Sequence, residues 1–126
     1  MTYSYVPGTC NLGKAEIRRR QIVALIGAAL ALSSFVGLQA ADAPNSARFS
    51  LFAPLMVFSV GFIQSRRKFC LAYGLMGTFN LGKLGDITRV QNPEDRKADR
   101  KTATSILLQS GLLALVMTLV FVILPI

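Results

Sequence analysis

Long uncharged stretches alternate with short charged ones along the chain. A helix rises about 1.5 Å per residue and the hydrocarbon core of a bilayer is about 30 Å thick, so a crossing needs about 20 apolar residues. Four windows contain no Asp, Glu, Lys or Arg: 21–41, 49–65, 69–82 and 102–126. Three of them are long enough, and the pattern predicts an all-α integral membrane protein with three transmembrane helices, at about 21–41, 49–65 and 102–124.

The remaining window, 69–82, is too short to cross and contains Gly74, Gly77 and Gly82. Such a segment fits an interfacial or re-entrant position better than a crossing. We predict that it lies in a loop over 66–101, and that residues 1–126 form a single membrane domain.

The basic residues are distributed unequally between the two sides of these helices. Of the 14 Lys and Arg residues, 13 lie before the first span or between the second and third, and only Arg48 lies between the first and second. Basic residues in short flanking loops stay in the cytoplasm. We therefore expect a cytoplasmic N-terminus and an outer C-terminus. The layout is that of a multi-pass protein of the plasma membrane, in bacteria the inner membrane.

The third helix has a clear start signal well before its apolar part. Asn92 suits the N-cap, Pro93 suits the first helical position, and Asp95 occupies the capping-box position. The predicted stem is supported by two i,i+3 ion pairs. These pairs are Glu94–Lys97 and Arg96–Asp99.

The amino-acid composition excludes several kinds of catalytic and metal-binding site. The chain is 52% hydrophobic and 16% charged, and it contains no His. Histidine-ligated haem, His-based metal sites and His-dependent triads are therefore excluded. The three spans contain no ionisable side chain, which argues against a pump or coupled transporter. We expect no metal, no cofactor, no catalytic residue and no nucleic-acid partner.

A seven-residue element occurs twice. Residues 8–14 read Gly-Thr-Cys-Asn-Leu-Gly-Lys and residues 77–83 read Gly-Thr-Phe-Asn-Leu-Gly-Lys. Each copy has the Gly-x-x-x-x-Gly-Lys skeleton of a P-loop, but Ala15 and Leu84 stand where Ser or Thr would bind magnesium. The copies are either a structural internal repeat or a weak anion or lipid site. The candidate anion-binding residues are Asn11, Gly13, Lys14, Asn80, Gly82 and Lys83.

Two further features are candidates for contacts or chemistry. Cys10 and Cys70 lie on the predicted reducing side, which disfavours a disulfide, and cations beside a cysteine can make its thiol reactive. Small residues recur at four-residue spacing, as at helix interfaces in lipid. They are Ala29, Ser33 and Gly37 in the first span and Ser110, Ala114 and Thr118 in the third. We expect these two stripes to meet, within one chain or across a homo-oligomer.

Three functional hypotheses follow. The first is a small non-catalytic membrane protein that binds another membrane protein as an accessory or scaffold subunit, with anionic lipids on its cytoplasmic side. The second is a membrane protein that uses Cys10, Cys70 and the glycine-rich turns for redox chemistry or to hold an anionic lipid or cofactor. The third is a homo-oligomeric pore or lipid organiser that assembles through the small-residue stripes.

Overall fold

A computed structural model describes residues 5–81 and 87–125 of the chain. The structure is mostly helical (75%). Its elements, in chain order, are α1 (Lys14–Ala40), a 3₁₀ helix (Asn45–Leu51), α2 (Phe52–Arg67), α3 (Leu71–Met76), β1 (Thr78–Phe79), β2 (Thr88–Arg89) and α4 (Pro93–Ile123).

Three helical segments are long and apolar enough to span a membrane, as the uncharged windows predict. They are Lys14–Ala40, Asn45–Arg67 and Pro93–Ile123. The first begins seven residues before its apolar window, because Gly13 provides an extended N-cap and the charged turn after it is already helical. Glu16 lies in that first turn, where a negative charge is favourable at the positive end of the helix dipole.

The second segment is built from two kinds of helix. The 3₁₀ helix leads directly into α2, and Pro54 lies in the first turn of α2, close to the junction of the two helices. At the other end, Lys68 adopts a left-handed conformation with φ of 55° and donates its backbone N–H to Gln64 O. This C-cap turns the chain towards α3.

The start of α4 matches the predicted signal. Asn92 is the N-cap, its side-chain oxygen accepts from the Glu94 N–H at 2.9 Å, and Pro93 is the first helical residue. The 31-residue helix therefore has a polar stem of about two turns before its apolar part begins near Thr102.

Close backbone approach joins α1 to α2. A Cβ atom on Gly27 would lie 2.5 Å from the Phe58 nitrogen, and one on Gly61 would lie 2.8 Å from the Ala24 nitrogen. Glycine at both positions lets the helices touch. α2 also packs against α4, and a buried cluster of Ala31, Leu51, Leu55 and Ala114 lies between the helices.

A compact polar end forms where α1 begins, α2 ends and α4 begins. α3 packs against the α4 stem, and β1 pairs antiparallel with β2 so that Thr78 opposes Arg89. The predicted segment 69–82 thus includes α3 and β1 in its described part. Phe69 is fully buried against Ala103 and Ile106 of α4.

Candidate functional site

The two copies of the repeated element lie side by side at the polar end. The Asn80 N–H donates to Asn11 O at 2.9 Å, and the Gly13 N–H donates to Asn80 O at 2.7 Å. These bonds form a parallel bridge between the copies. A Cβ atom on Gly13 would overlap the Leu81 backbone, so glycine is required for the approach.

Both copies also begin with a glycine in the same unusual conformation. Gly8 and Gly77 each have φ of 71°, a left-handed value that glycine adopts without strain. Each of them turns the chain towards the α4 stem: Gly8 lies against Ala98 and Thr102, and Gly77 lies against Arg96. The first glycine of each copy therefore has the same backbone conformation.

Asn11 ties the N-terminal copy to the junction between α2 and α3. Its Oδ1 accepts from the Cys70 N–H at 2.7 Å, and its Nδ2 donates to Cys70 O at 3.3 Å. Its own N–H donates to Lys68 O at 3.1 Å. The side chain is fully buried, so these bonds replace those it would make with water.

Asp99 binds the N-terminal segment instead of a neighbour on its own helix. The carboxylate is fully buried and accepts from the Tyr5 hydroxyl at 2.6 Å and from the Gly8 N–H at 2.7 Å. The predicted pairs Arg96–Asp99 and Glu94–Lys97 were wrong: neither forms within residues 87–125, and Glu16 of α1 is instead a carboxylate that pairs with Arg19 and Arg20. Burial and the hydrogen bond to Asp99 raise the pKa of Tyr5 above its usual range.

A second buried carboxylate organises the base of α1. Glu16 is fully buried, pairs with Arg20 at 3.2 Å and accepts from the Tyr73 hydroxyl at 3.3 Å. Burial, and then the charge of Glu16, raise the pKa of Tyr73 above its usual value. The Arg20 guanidinium also donates to Cys70 Sγ at 3.1 Å, so α1 and α3 share one polar cluster.

The candidate thiols are both buried and unoxidised. Cys70 is 3% exposed and Cys10 is 9% exposed, and the Cys10 thiol donates to Leu12 O at 3.6 Å. Access of a large substrate to either sulfur would require the polar end to open. Among residues 5–81 and 87–125, no group of three or more His, Cys, Asp or Glu side chains is placed to hold a metal ion.

The candidate anion-binding residues have different surroundings. Asn11, Gly13 and Asn80 are buried in contacts between the two copies, whereas Lys14 is exposed at the start of α1. Gly82 and Lys83 lie outside the described residues. The buried members therefore connect segments of the chain, and their backbone groups point to one another.

One of the two predicted packing stripes is buried and the other is exposed. Ser110, Ala114 and Thr118 are buried inside the bundle. Ala29, Ser33 and Gly37 are exposed, and among the described residues a Cβ atom on Gly37 would have no neighbour within 4 Å. The two stripes therefore do not meet within one chain. Because the α4 stripe is covered inside the bundle, it cannot meet the α1 stripe of a second copy either, so both forms of that prediction were wrong. Contact of the exposed α1 stripe with another chain stays a prediction.

α1 presents a different set of small residues to its neighbours inside the chain. Ala24, Gly27 and Ala31 are buried, and they lie on the side of the helix opposite to the exposed stripe. Their spacing of three and four residues is the same kind of signal as the predicted one. Sequence alone gives α1 two small-residue faces and does not say which one the chain itself covers.

Arg48 holds the opposite end of the bundle and was not among the sequence candidates. Its side chain is 2% exposed, donates to Phe121 O and Leu124 O at 2.8 and 3.0 Å, and donates to Gln39 Oε1 at 2.8 Å. A cation is favourable at the carbonyl end of a helix. The signal in the sequence was its isolation as a single basic residue between two spans.

Comparisons of the chain with protein-family models, curated proteins and solved structures find no match. The functional proposal therefore rests on the geometry alone.

Proposed function

We propose that the protein is a small non-catalytic membrane protein that binds another membrane protein, as an accessory or scaffold subunit, through the outer face of α1. This outer face is the stripe of Ala29, Ser33 and Gly37. The observation that carries the proposal is that these small residues are exposed while α1 uses its opposite side to contact α2.

The chemistry of a bilayer supports this choice. Lipid tails cover bulky apolar side chains well, whereas small residues let a second helix approach closely and gain packing contacts. The Ser33 hydroxyl also offers a hydrogen bond to a partner helix. The buried sites are already occupied: Asn11, Glu16 and Asp99 bond within the chain. We therefore favour binding over catalysis by the buried cysteines.

The test compares two neighbouring serines on α1. Successive helical residues are rotated by about 100°, so Ser33 lies on the outer face and Ser34 lies beside it, both exposed. The tagged chain is purified from native membranes in mild detergent and its complexes are weighed by native mass spectrometry. We expect a partner of another mass at a fixed ratio with the wild type and Ser34→Leu, and its loss with Ser33→Leu.

Two results would count against the proposal. Equal recovery of the partner with both variants would show that the partner does not bind through the outer face. A complex whose mass equals two copies of this chain would show that the chain binds itself and not another membrane protein. Unfolding of each variant in detergent serves as the folding control.

We propose further that the polar end faces the cytoplasm of a bacterial inner membrane, on the basis of the basic residues around it. Ser46 and Thr88 are both exposed and lie at opposite ends of the bundle. In a chain with Cys10 and Cys70 replaced by Ser, a membrane-impermeant maleimide should label Ser46→Cys in intact cells, and Thr88→Cys only after the membrane is opened. The reverse pattern would overturn the orientation.

A further inference from the structure

A groove at the polar end lies between α3 and the α4 stem. It has a volume of about 230 Å³ and is lined by Leu75, Met76, Gly77, Arg96 and Arg100. We refer to it as the α3–α4 groove. Its lining combines two cations with two apolar side chains, and Leu75 and Met76 are 50% and 59% exposed.

The two arginines are available to a ligand. They are four residues apart on α4 and so lie on one face of the helix. In residues 5–81 and 87–125, neither guanidinium makes an ion pair or a hydrogen bond. The stem of Arg96 packs on Gly77, where a Cβ atom would lie 2.8 Å from Arg96 Cδ. Glycine at 77 thus leaves room for Arg96 to line the groove.

The groove lies at the depth of lipid headgroups if α4 crosses the bilayer. α3 runs alongside the stem, since Gly74 lies against Asp99 and Gly77 against Arg96. The apolar part of α4 begins near Thr102, so Arg100 precedes it by about 3 Å and Arg96 by about 9 Å along the axis. Headgroup layers are roughly 5–8 Å thick on each side of the hydrocarbon.

We propose that the α3–α4 groove binds the phosphate of an anionic phospholipid. Arg96 and Arg100 donate charge-assisted hydrogen bonds to the phosphate oxygens, a geometry for which guanidinium is well suited. Leu75 and Met76, which lie level with the α4 stem, contact the glycerol carbons of the lipid, which an ion in solution would not need. This site is separate from the outer face of α1, so each proposal can fail while the other holds.

The chain supplies a matched control for the charges. Lys97 and Lys101 are exposed, belong to the same stem and follow the two arginines by one residue, outside the groove lining. The variants Arg96→Gln with Arg100→Gln, and Lys97→Gln with Lys101→Gln, lose the same charge. Binding of phosphatidylglycerol and phosphatidylcholine to the purified full chain is measured by native mass spectrometry.

We expect the wild type and the lysine variant to bind phosphatidylglycerol in preference to phosphatidylcholine. The arginine variant should bind phosphatidylglycerol about 10- to 30-fold more weakly, since it loses the charge-assisted hydrogen bonds of two guanidinium groups to the phosphate, which the control lysines outside the groove do not make. Photoreactive phosphatidylglycerol should label the stretch 75–77 in the wild type.

Three results would overturn the proposal. The first is an equal loss with both variants, which would indicate general charge attraction. The second is displacement of the lipid by excess inorganic phosphate, which would indicate a site for a free anion. The third is equal binding of the two lipids by the wild type. This comparison uses no variant, so it tests the proposal even if the arginine variant fails to fold.

Discussion

At the scale of single residues, buried polar side chains hold the polar end together. Asn11, Glu16 and Asp99 are fully buried, and each joins segments that are far apart in the chain. A buried polar group that loses its partner costs about 1–3 kcal/mol, so these bonds strongly favour one arrangement of the segments.

Tyr73 gives a prediction about pH. Burial and the charge of Glu16 raise its pKa in the folded chain, so folding favours the neutral phenol. The contribution of Tyr73 to the free energy of unfolding is fully present below about pH 10, which is the pKa of tyrosine in an unfolded chain. It is lost as the pH rises through the pKa of Tyr73 in the folded chain. The chain has three tyrosines and no Trp, so absorbance of the phenolate reports on them cleanly.

We expect two late steps in the absorbance titration, one from Tyr5 and one from Tyr73. The step that is lost in Tyr73→Phe should move to lower pH in Glu16→Gln, whereas the step that is lost in Tyr5→Phe should not move. Tyr5→Phe is the control, because Tyr5 bonds to Asp99 and not to Glu16. A Glu16→Gln titration identical to that of the wild type would contradict the assigned cause of the pKa shift.

At the scale of elements, the glycines of α1 separate its covered side from its open side. A Cβ atom would collide with α2 at Gly27 and would meet nothing at Gly37. Gly27→Ala should therefore destabilise the chain by about 1–3 kcal/mol through overpacking. Gly37→Ala, the same change on the same helix, should leave stability unchanged or raise it slightly.

Thermal unfolding followed by circular dichroism in one detergent measures both effects. Gly111→Ala on α4 is a second control, because a Cβ atom there would also have no neighbour within 4 Å. Equal effects of all three variants on stability would mean that the close α1–α2 contact at Gly27 does not set the cost, because helix propensity favours Ala at each position.

The elements also separate what sequence reasoning could and could not predict. Uncharged windows gave the three long helices, and Asn92 with Pro93 gave the start of α4, because length, charge and capping are local properties. The partner of Asp99 is Tyr5, 94 residues away, and no local rule identifies such a partner. The covered face of α1 was missed because both of its faces carry small residues.

At the scale of the whole molecule, the bundle is closed at its two ends and open along α1. The polar end is tied by the paired repeat copies, and the other end by Arg48. Between them, the outer face of α1 is exposed, and no atom of residues 5–81 and 87–125 lies within 4 Å of a Cβ atom built on Gly37. The proposal that α1 binds a helix of another membrane protein rests on this exposed face.

The most direct measurement of that claim is photocrosslinking in native membranes. A photoreactive amino acid replaces Ser33 in one variant and Ser34 in another, and the products are separated by mass. We predict that position 33 gives a protein adduct of one defined mass that position 34 does not give. Adducts with lipid alone at both positions would contradict the account, because the outer face of α1 would then face only the bilayer.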